Sequence, residues 1–424
     1  MQKDDQVFRK VARRLIPFMV ALYTVAFLDR VNIGFAGLTM NQDLNFSPEV
    51  FGWGAGIFFF GYFLFEVPSN VILTKVGARR WICRIMATWG VISAANAFVE
   101  TPMQFYVLRF LLGLAEAGFA PGMIFYLSLW FPPALRARYA ASYFMAIPIT
   151  NVIGGPVSGL LLEWDGLLGL HGWQWLFLVE ALPALMLGVA VFFYLPDGPR
   201  DAKWLSESER ATIEAELARE RSGGHDHVHG LWTALADPRV LLLCAVYFFI
   251  VVGLYGITIW LPLIFQSMGF STRATSLLVV VPYALAAVSM VAWGRHSDST
   301  GERVWHVALA SLLGTFGFAV AAGVTAQAVV LIAMTLVAIG ICASLAPFWA
   351  VPPTFLTGTA AAGGIALINA VGNLGGFAGP YIMGWAREET GSYTLGLAIL
   401  AGSMTVAAVL VLALGRFRRV AFAS

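Results

Sequence analysis

The chain is a succession of long apolar runs separated by short polar breaks. Twelve such runs fall near residues 15–37, 50–73, 81–100, 103–130, 138–162, 173–196, 239–265, 275–294, 304–323, 327–350, 364–386 and 393–415. A helix needs roughly 20 apolar residues to cross a bilayer core. The runs are continuous and do not alternate with period two, which predicts spanning helices and not a β-barrel. One polar stretch, residues 197–238, interrupts the series after the sixth run. Within it Ser206 and Glu209 have the spacing of a capping box, which predicts a short helix over 206–221. Gly223, Gly224 and the alternating His225, His227 and His229 follow. On a helix those histidines would point to different faces, so the segment reads as a solvated tether and not as a metal site.

Composition agrees with this pattern. Hydrophobic residues make up 59% of the 424 and charged ones 12%, about half the roughly 25% of soluble domains. A net charge of +2 gives no reason to expect a polyanionic partner. Water-soluble enzymes, disordered chains and nucleic-acid binders are excluded. Cys83, Cys244 and Cys342 sit in apolar runs, as packing residues would, and imply no disulfide framework. The first run follows Arg13 and Arg14 and outlasts a signal-peptide core, so it reads as an anchor that is retained. Twenty-two Lys and Arg residues fall in the tails and loops of one side, and only Arg273 and Arg387 on the other. By the positive-inside rule both termini are expected in the cytoplasm.

The polar stretch divides the runs six and six, and the halves repeat. Gly77 with Gly301, Arg79 with Arg303 and Pro156 with Pro380 are each 224 residues apart, and Pro121 with Pro347 226 apart. Several matches in order across equivalent runs predict two parallel six-helix repeats: an N-terminal half over 1–196, a cytoplasmic linker over 197–238 and a C-terminal half over 239–424. The fold class expected is an all-α polytopic membrane protein of twelve helices in two pseudo-symmetric halves. This is the arrangement of the major facilitator fold. The loop GRHSDSTGER, with Gly294, Asp298, Gly301 and Arg303, resembles the cytoplasmic signature of that superfamily. Its first copy holds Gly77, Arg79 and Arg80 but has Thr74 where the acid usually stands. These residues are the candidates for a conformational latch.

Ionisable groups at membrane depth are costly and call for a function. Away from the ends of its runs the N-terminal half has Asp29, Arg30, Glu66, Arg109, Glu116 and Glu180, and the C-terminal half has none. Arg109 and Glu116, seven apart in the fourth run, share a helix face. In a six-plus-six bundle, runs one, four, seven and ten line the central cavity, so four of the six charges fall on lining helices. Glu66 lies near the basic loop 75–84 and is expected to pair there. Glu180 has no evident role. A desolvated carboxyl can carry a proton, and a guanidinium offers a fixed fork to a carboxylate. Together they suit a carrier that moves an organic anion with protons.

At these residues the chain resembles the anion:cation symporter family of the major facilitator superfamily from end to end. The pieces that carry the likeness are LDRVNIGFAGL, GIFFFGYFLFEVPSNVILTKVGARRW, LRFLLGLAEAGFAPGMI, GLYGITIWLP and INAVGNLGGFAGPYIMGW. Within that family it looks most like bacterial permeases for tartrate, phthalate and related carboxylates. The resemblance implies that Asp29 and Glu116 are the proton-coupling carboxylates. It implies that Arg30 contacts the substrate carboxylate, with Tyr62 and Arg109 as further substrate-binding candidates. From the second half Tyr255, Asn369 and Asn373 are expected to complete the pocket, with Gln266 a further candidate and Phe348 and Trp349 as walls. The implied function is proton-driven import of a small organic carboxylate through an inner, or plasma, membrane by alternating access. The partners expected are the anion, protons and the bilayer, with the protein a monomer and without nucleic acid, cofactor or metal. The alternatives are sodium coupling and an anion exchanger or efflux antiporter. More remote is a membrane-embedded enzyme or receptor, for which no histidine lies clearly inside a run to serve as a base.

Overall fold

A computed structural model describes residues 2–132, 135, 139, 146–222, 237–356 and 358–421. The expected His225, His227 and His229 tether lies outside these residues, as do Arg136 and Arg138. Among the described residues ten helices are long and apolar enough to cross a membrane. Two shorter segments complete the twelve. The third run forms a helix over Ala78–Ala95 whose arginines lower its hydropathy, and the described part of the fifth is Ala146–Leu162.

The element order follows the apolar runs, with informative departures at their ends and middles. The first helix, Gln2–Asp43, begins well before its apolar run, so the basic tail is helical. Lys10 of this extension pairs with Glu209 at 2.8 Å, and Arg14 lies over the rings of Tyr194 and Trp204. Glu209 belongs to the linker helix Glu207–Ser222, which starts with the reciprocal cap expected of Ser206 and Glu209. The short helix thereby docks on the first half.

Three spans are interrupted where a single helix would be simplest. The fourth divides into Pro102–Glu116 and Phe119–Ser128. Gly118 turns at φ +84°, and the adjacent Ser69 side chain leaves no room for a Cβ. The eighth, Thr272–Leu278 and Val280–Thr300, and the eleventh, Gly358–Asn373 and Gly375–Thr390, are interrupted only at Val279 and Leu374, whose backbone stays right-handed helical. Such breaks are tolerated at membrane depth where protein surrounds them. The fourth-span break puts Glu116 at the last residue of its helix, so Arg109 and Glu116 share one helix only up to that point.

The halves meet tightly at one end of the bundle, the end away from the loops at Gly77 and Gly301. There Gly34 opposes the Ile259 carbonyl, Gly52 opposes the Pro380 carbonyl and Gly155 opposes the Ser276 carbonyl. A Cβ at Gly52 would sit 2.6 Å from the Pro380 oxygen and 3.1 Å from the Gly384 Cα. Small residues at such crossings let backbones touch and gain packing energy that lipid cannot supply. Gly52→Val is expected to leave both halves folded while opening this seam. Overpacking of about 1–3 kcal/mol corresponds to a transport loss of roughly tenfold or more, checked by uptake alongside size-exclusion and thermal-melt profiles. Wild-type uptake in the variant would mean that the seam never has to close.

Candidate functional site

The site grows from two adjacent residues of the first span that point to opposite sides. Arg30 turns inward to the junction of the halves. Its Nε donates to Glu116 Oε1 at 2.6 Å, and Nη2 reaches the same oxygen at 2.5 Å. Nη1 donates to the Tyr255 hydroxyl at 3.3 Å, across the interface. The guanidinium lies 4.8 Å from the Tyr62 ring centre and 5.6 Å from that of Phe58. Phe59 closes the far side against Tyr255, with ring centres 4.2 Å apart. Arg30 is 5% exposed and Glu116 1%, so the pair is sealed. Leaving water costs each ion several kcal/mol, which only close pairing and further hydrogen bonds repay.

Asp29 does not share that junction. One oxygen accepts from Trp89 Nε1, and the other from Ser93 Oγ and from Asn32 Nδ2. It therefore faces the third span, inside the first half. Sequence reasoning missed these partners; Asn32, one turn on in LDRVN, was the available signal.

Arg109 sits 5.2 Å from the Phe58 ring centre, fully buried, with Nε and Nη1 bonded to no protein acceptor. Arg30 Nη2 likewise makes no directed hydrogen bond despite its ion-pair distance. Phe58 thus lies beside two guanidiniums that have N–H groups to spare. That surplus suits a carboxylate with more oxygens than Glu116 presents.

The remaining candidates divide by position. Asn369 donates to Glu66 Oε1 at 2.7 Å, joining the second span to the eleventh. The expected pairing of Glu66 with the basic loop is corrected by this: its carboxylate is buried toward the other half. Asn373 is buried at the end of the same helix as Asn369. Gln266 is bonded to the Leu38 carbonyl at 3.0 Å near the tight seam, away from Arg30. Phe348 and Trp349 pack on Tyr247, as a wall of the second half.

Residues 19–380 match the family model described as Major Facilitator Superfamily. The chain belongs to the Major Facilitator Superfamily. Two proteins of Agrobacterium vitis, each called "Putative tartrate transporter", are 54% identical to it over 413 residues, 97% of this chain and 92% and 95% of theirs. A "Quinolone resistance transporter" of Acinetobacter baumannii is 41% identical over 403 residues, covering 94% of this chain and 93% of that one. Among solved structures, a D-xylose-proton symporter superposes with a TM-score of 0.73 at 15% identity, covering 93% of this chain and 95% of that one, a likeness of fold. The protein is a multi-pass membrane transporter of the superfamily and not an enzyme.

The superfamily loops are asymmetric in chemistry. In the second copy Arg303 pairs with Asp298 at 2.6 Å and donates to Ser297 at 2.9 Å, after Gly301 turns at φ +67°. In the first copy Gly77 turns at φ +96°, and Asp197, directly after the sixth span, supplies the acid that Thr74 does not. Its Oδ1 accepts from the Arg79 backbone N–H at 2.8 Å and its Oδ2 lies 3.6 Å from Arg79 Nε. An acid at a helix start is favoured by the helix dipole. Gly294 packs against Ala346 of the tenth span, and Arg80 is exposed.

Proposed function

We propose that this transporter imports a small organic carboxylate by proton symport with alternating access. The observation that carries the reading is the buried Arg30, held by Glu116 of its own half and Tyr255 of the other. A substrate carboxylate that takes over Arg30 releases Glu116 from its counter-ion. The freed carboxyl, buried and unpaired, then favours its protonated form. Substrate and proton are thereby bound together. Tyr62 and Arg109 complete the anion cradle from the first half, and Tyr255, Asn369 and Asn373 from the second. The names of the Agrobacterium vitis relatives favour a hydroxy-dicarboxylate such as tartrate. Phthalate-like and aldarate substrates differ from it mainly in the neutral groups they need.

In this reading residues 1–196 and 239–424 rock as two bodies joined by 197–238, with the break at Gly118 as a flexing point. The Asp298–Arg303 and Asp197–Arg79 pairs brace the loops as latches. Both termini face the cytoplasm of a bacterial inner membrane, by the bias of Lys and Arg, and the working unit is a monomer. The tight glycine seam then faces outward, and the state described is closed to the outside.

Radiolabelled uptake into proteoliposomes under an imposed inward proton gradient tests the reading, across hydroxy-dicarboxylates and aromatic acids. Accumulation of one acid, collapsed by a protonophore, is the expected result. Uptake driven only by sodium or by counter-substrate would overturn it. Export is a second reading, favoured by the quinolone resistance relative; it requires a drug gradient to dissipate when protons flow inward.

A further inference from the structure

Two guanidiniums and four carboxyls share the buried core of the first half. Arg30 is matched by Glu116, and Arg109 balances the charge of one more carboxyl. Glu66 and Glu180 remain, and a net charge of two in the apolar core would be prohibitive. Protons are the available compensation.

Glu180, on the sixth span, is 3% exposed. Its Oε1 accepts from Ser158 of the fifth span at 2.8 Å, and its Oε2 has no protein donor. Asn32, on the first span, donates from Nδ2 to Asp29. Glu180 is thus left with one donor and one buried oxygen that no protein group satisfies. Asp29, by contrast, receives three donors, as an ionised carboxylate requires.

The other elements packed on the sixth span add no cation within ion-pair distance among the described residues. The third span turns Trp89 and Ser93 to Asp29, and the turn Asn96–Phe98 offers Asn96, already bonded to the Ile92 and Ser93 carbonyls.

We propose that Glu180 is a proton-carrying carboxyl that holds its proton in this state. With Ser158 as its one donor and no cation at ion-pair distance among the described residues, the neutral form is the one its buried surroundings accommodate. This proposal deepens the symport reading and rests on it for its transport consequence.

Glu180→Gln mimics the protonated form, because its amide donates where the hydroxyl would, so the variant is expected to fold with undiminished thermal stability. In proteoliposomes it should keep counterflow exchange but lose one proton per substrate. At a gradient of one pH unit, accumulation then falls about tenfold relative to wild type. Infrared difference spectra of purified protein across pH should lose a titrating protonated-carboxyl band in Glu180→Gln. Ser158→Ala, which keeps every titratable group but removes the one donor to Glu180, should shift that band, and serves if the glutamine variant does not fold. Wild-type proton stoichiometry in Glu180→Gln, or a carboxyl band unmoved by either variant, would overturn the assignment. Failure of wild type to accumulate any acid with protons would sink the symport reading alone, because the infrared band still reports on Glu180.

Discussion

Arg30→Lys is expected to abolish uptake, with a loss of about a hundredfold or more, while the protein still inserts and melts near the wild-type temperature. A lysine keeps the charge beside Glu116, so no buried carboxylate is abandoned. It loses the fork, however. Arg30 donates from Nε to a glutamate oxygen, with Nη2 beside the same oxygen, and from Nη1 to Tyr255, two partners that a single ammonium at the end of a flexible chain cannot hold in that geometry. Truncating one partner of a buried, hydrogen-bonded charge pair costs about 2–5 kcal/mol, and losing the bidentate geometry at the substrate falls toward the lower end. Arg30→Ala should be worse in another way, because Glu116 is then buried without a cation and stability drops as well as transport. Uptake rates with a thermal melt separate the two. Arg30→Lys transport near wild type would mean that the fork does not grip the substrate.

Tyr255 gives this result its second half. A hydroxyl of one half that accepts from a guanidinium of the other would couple the interface to occupancy. When a carboxylate enters, it competes with both Glu116 and Tyr255 for the same N–H groups. The ligand can shift the two-state equilibrium only by its differential affinity for the states. A group shared between the halves gives such a difference a physical seat.

Much of this was legible in the chain. The twelve spans, the doubled loops at Gly77 and Gly301 and the charges of the first half follow from apolar run length and from the rarity of ions among apolar residues. Less legible was the direction each charge takes. Asp29 and Arg30 are neighbours in sequence, yet they face opposite sides of one helix, because consecutive helical residues project about 100° apart. Pattern alone places both on a lining helix and cannot send one to Trp89 and the other to Tyr255. The partner of Glu66 was missed for a related reason. Proximity in sequence to basic residues suggested a local pair, whereas burial aims the side chain at Asn369, 303 residues away. The helix break after Glu116 had a visible cause in Gly118 and Pro121, but a continuous apolar run hides it.

The two carboxyls proposed for coupling, Glu116 and Asp29, should respond differently to the same conservative change. Glu116→Gln removes the negative partner of Arg30 without a steric change, so the guanidinium stays available to substrate. Exchange of labelled for unlabelled substrate is expected to persist, with apparent affinity unchanged or improved. Accumulation against a gradient should vanish, because no proton binds when substrate does. Asp29→Asn meets three donors where it can offer one accepting oxygen, and its own N–H groups point at the Trp89 or Ser93 side chains. One buried donor is then left facing another, at about 1–3 kcal/mol, so a lower melting temperature should accompany the loss of accumulation. Counterflow and gradient-driven uptake, measured on both variants in the same liposome preparation, distinguish the cases. Concentrative uptake in both would remove these carboxyls from coupling. Loss of exchange as well as accumulation in a stable Glu116→Gln would recast the Arg30–Glu116 pair as a structural clamp that substrate binding leaves intact.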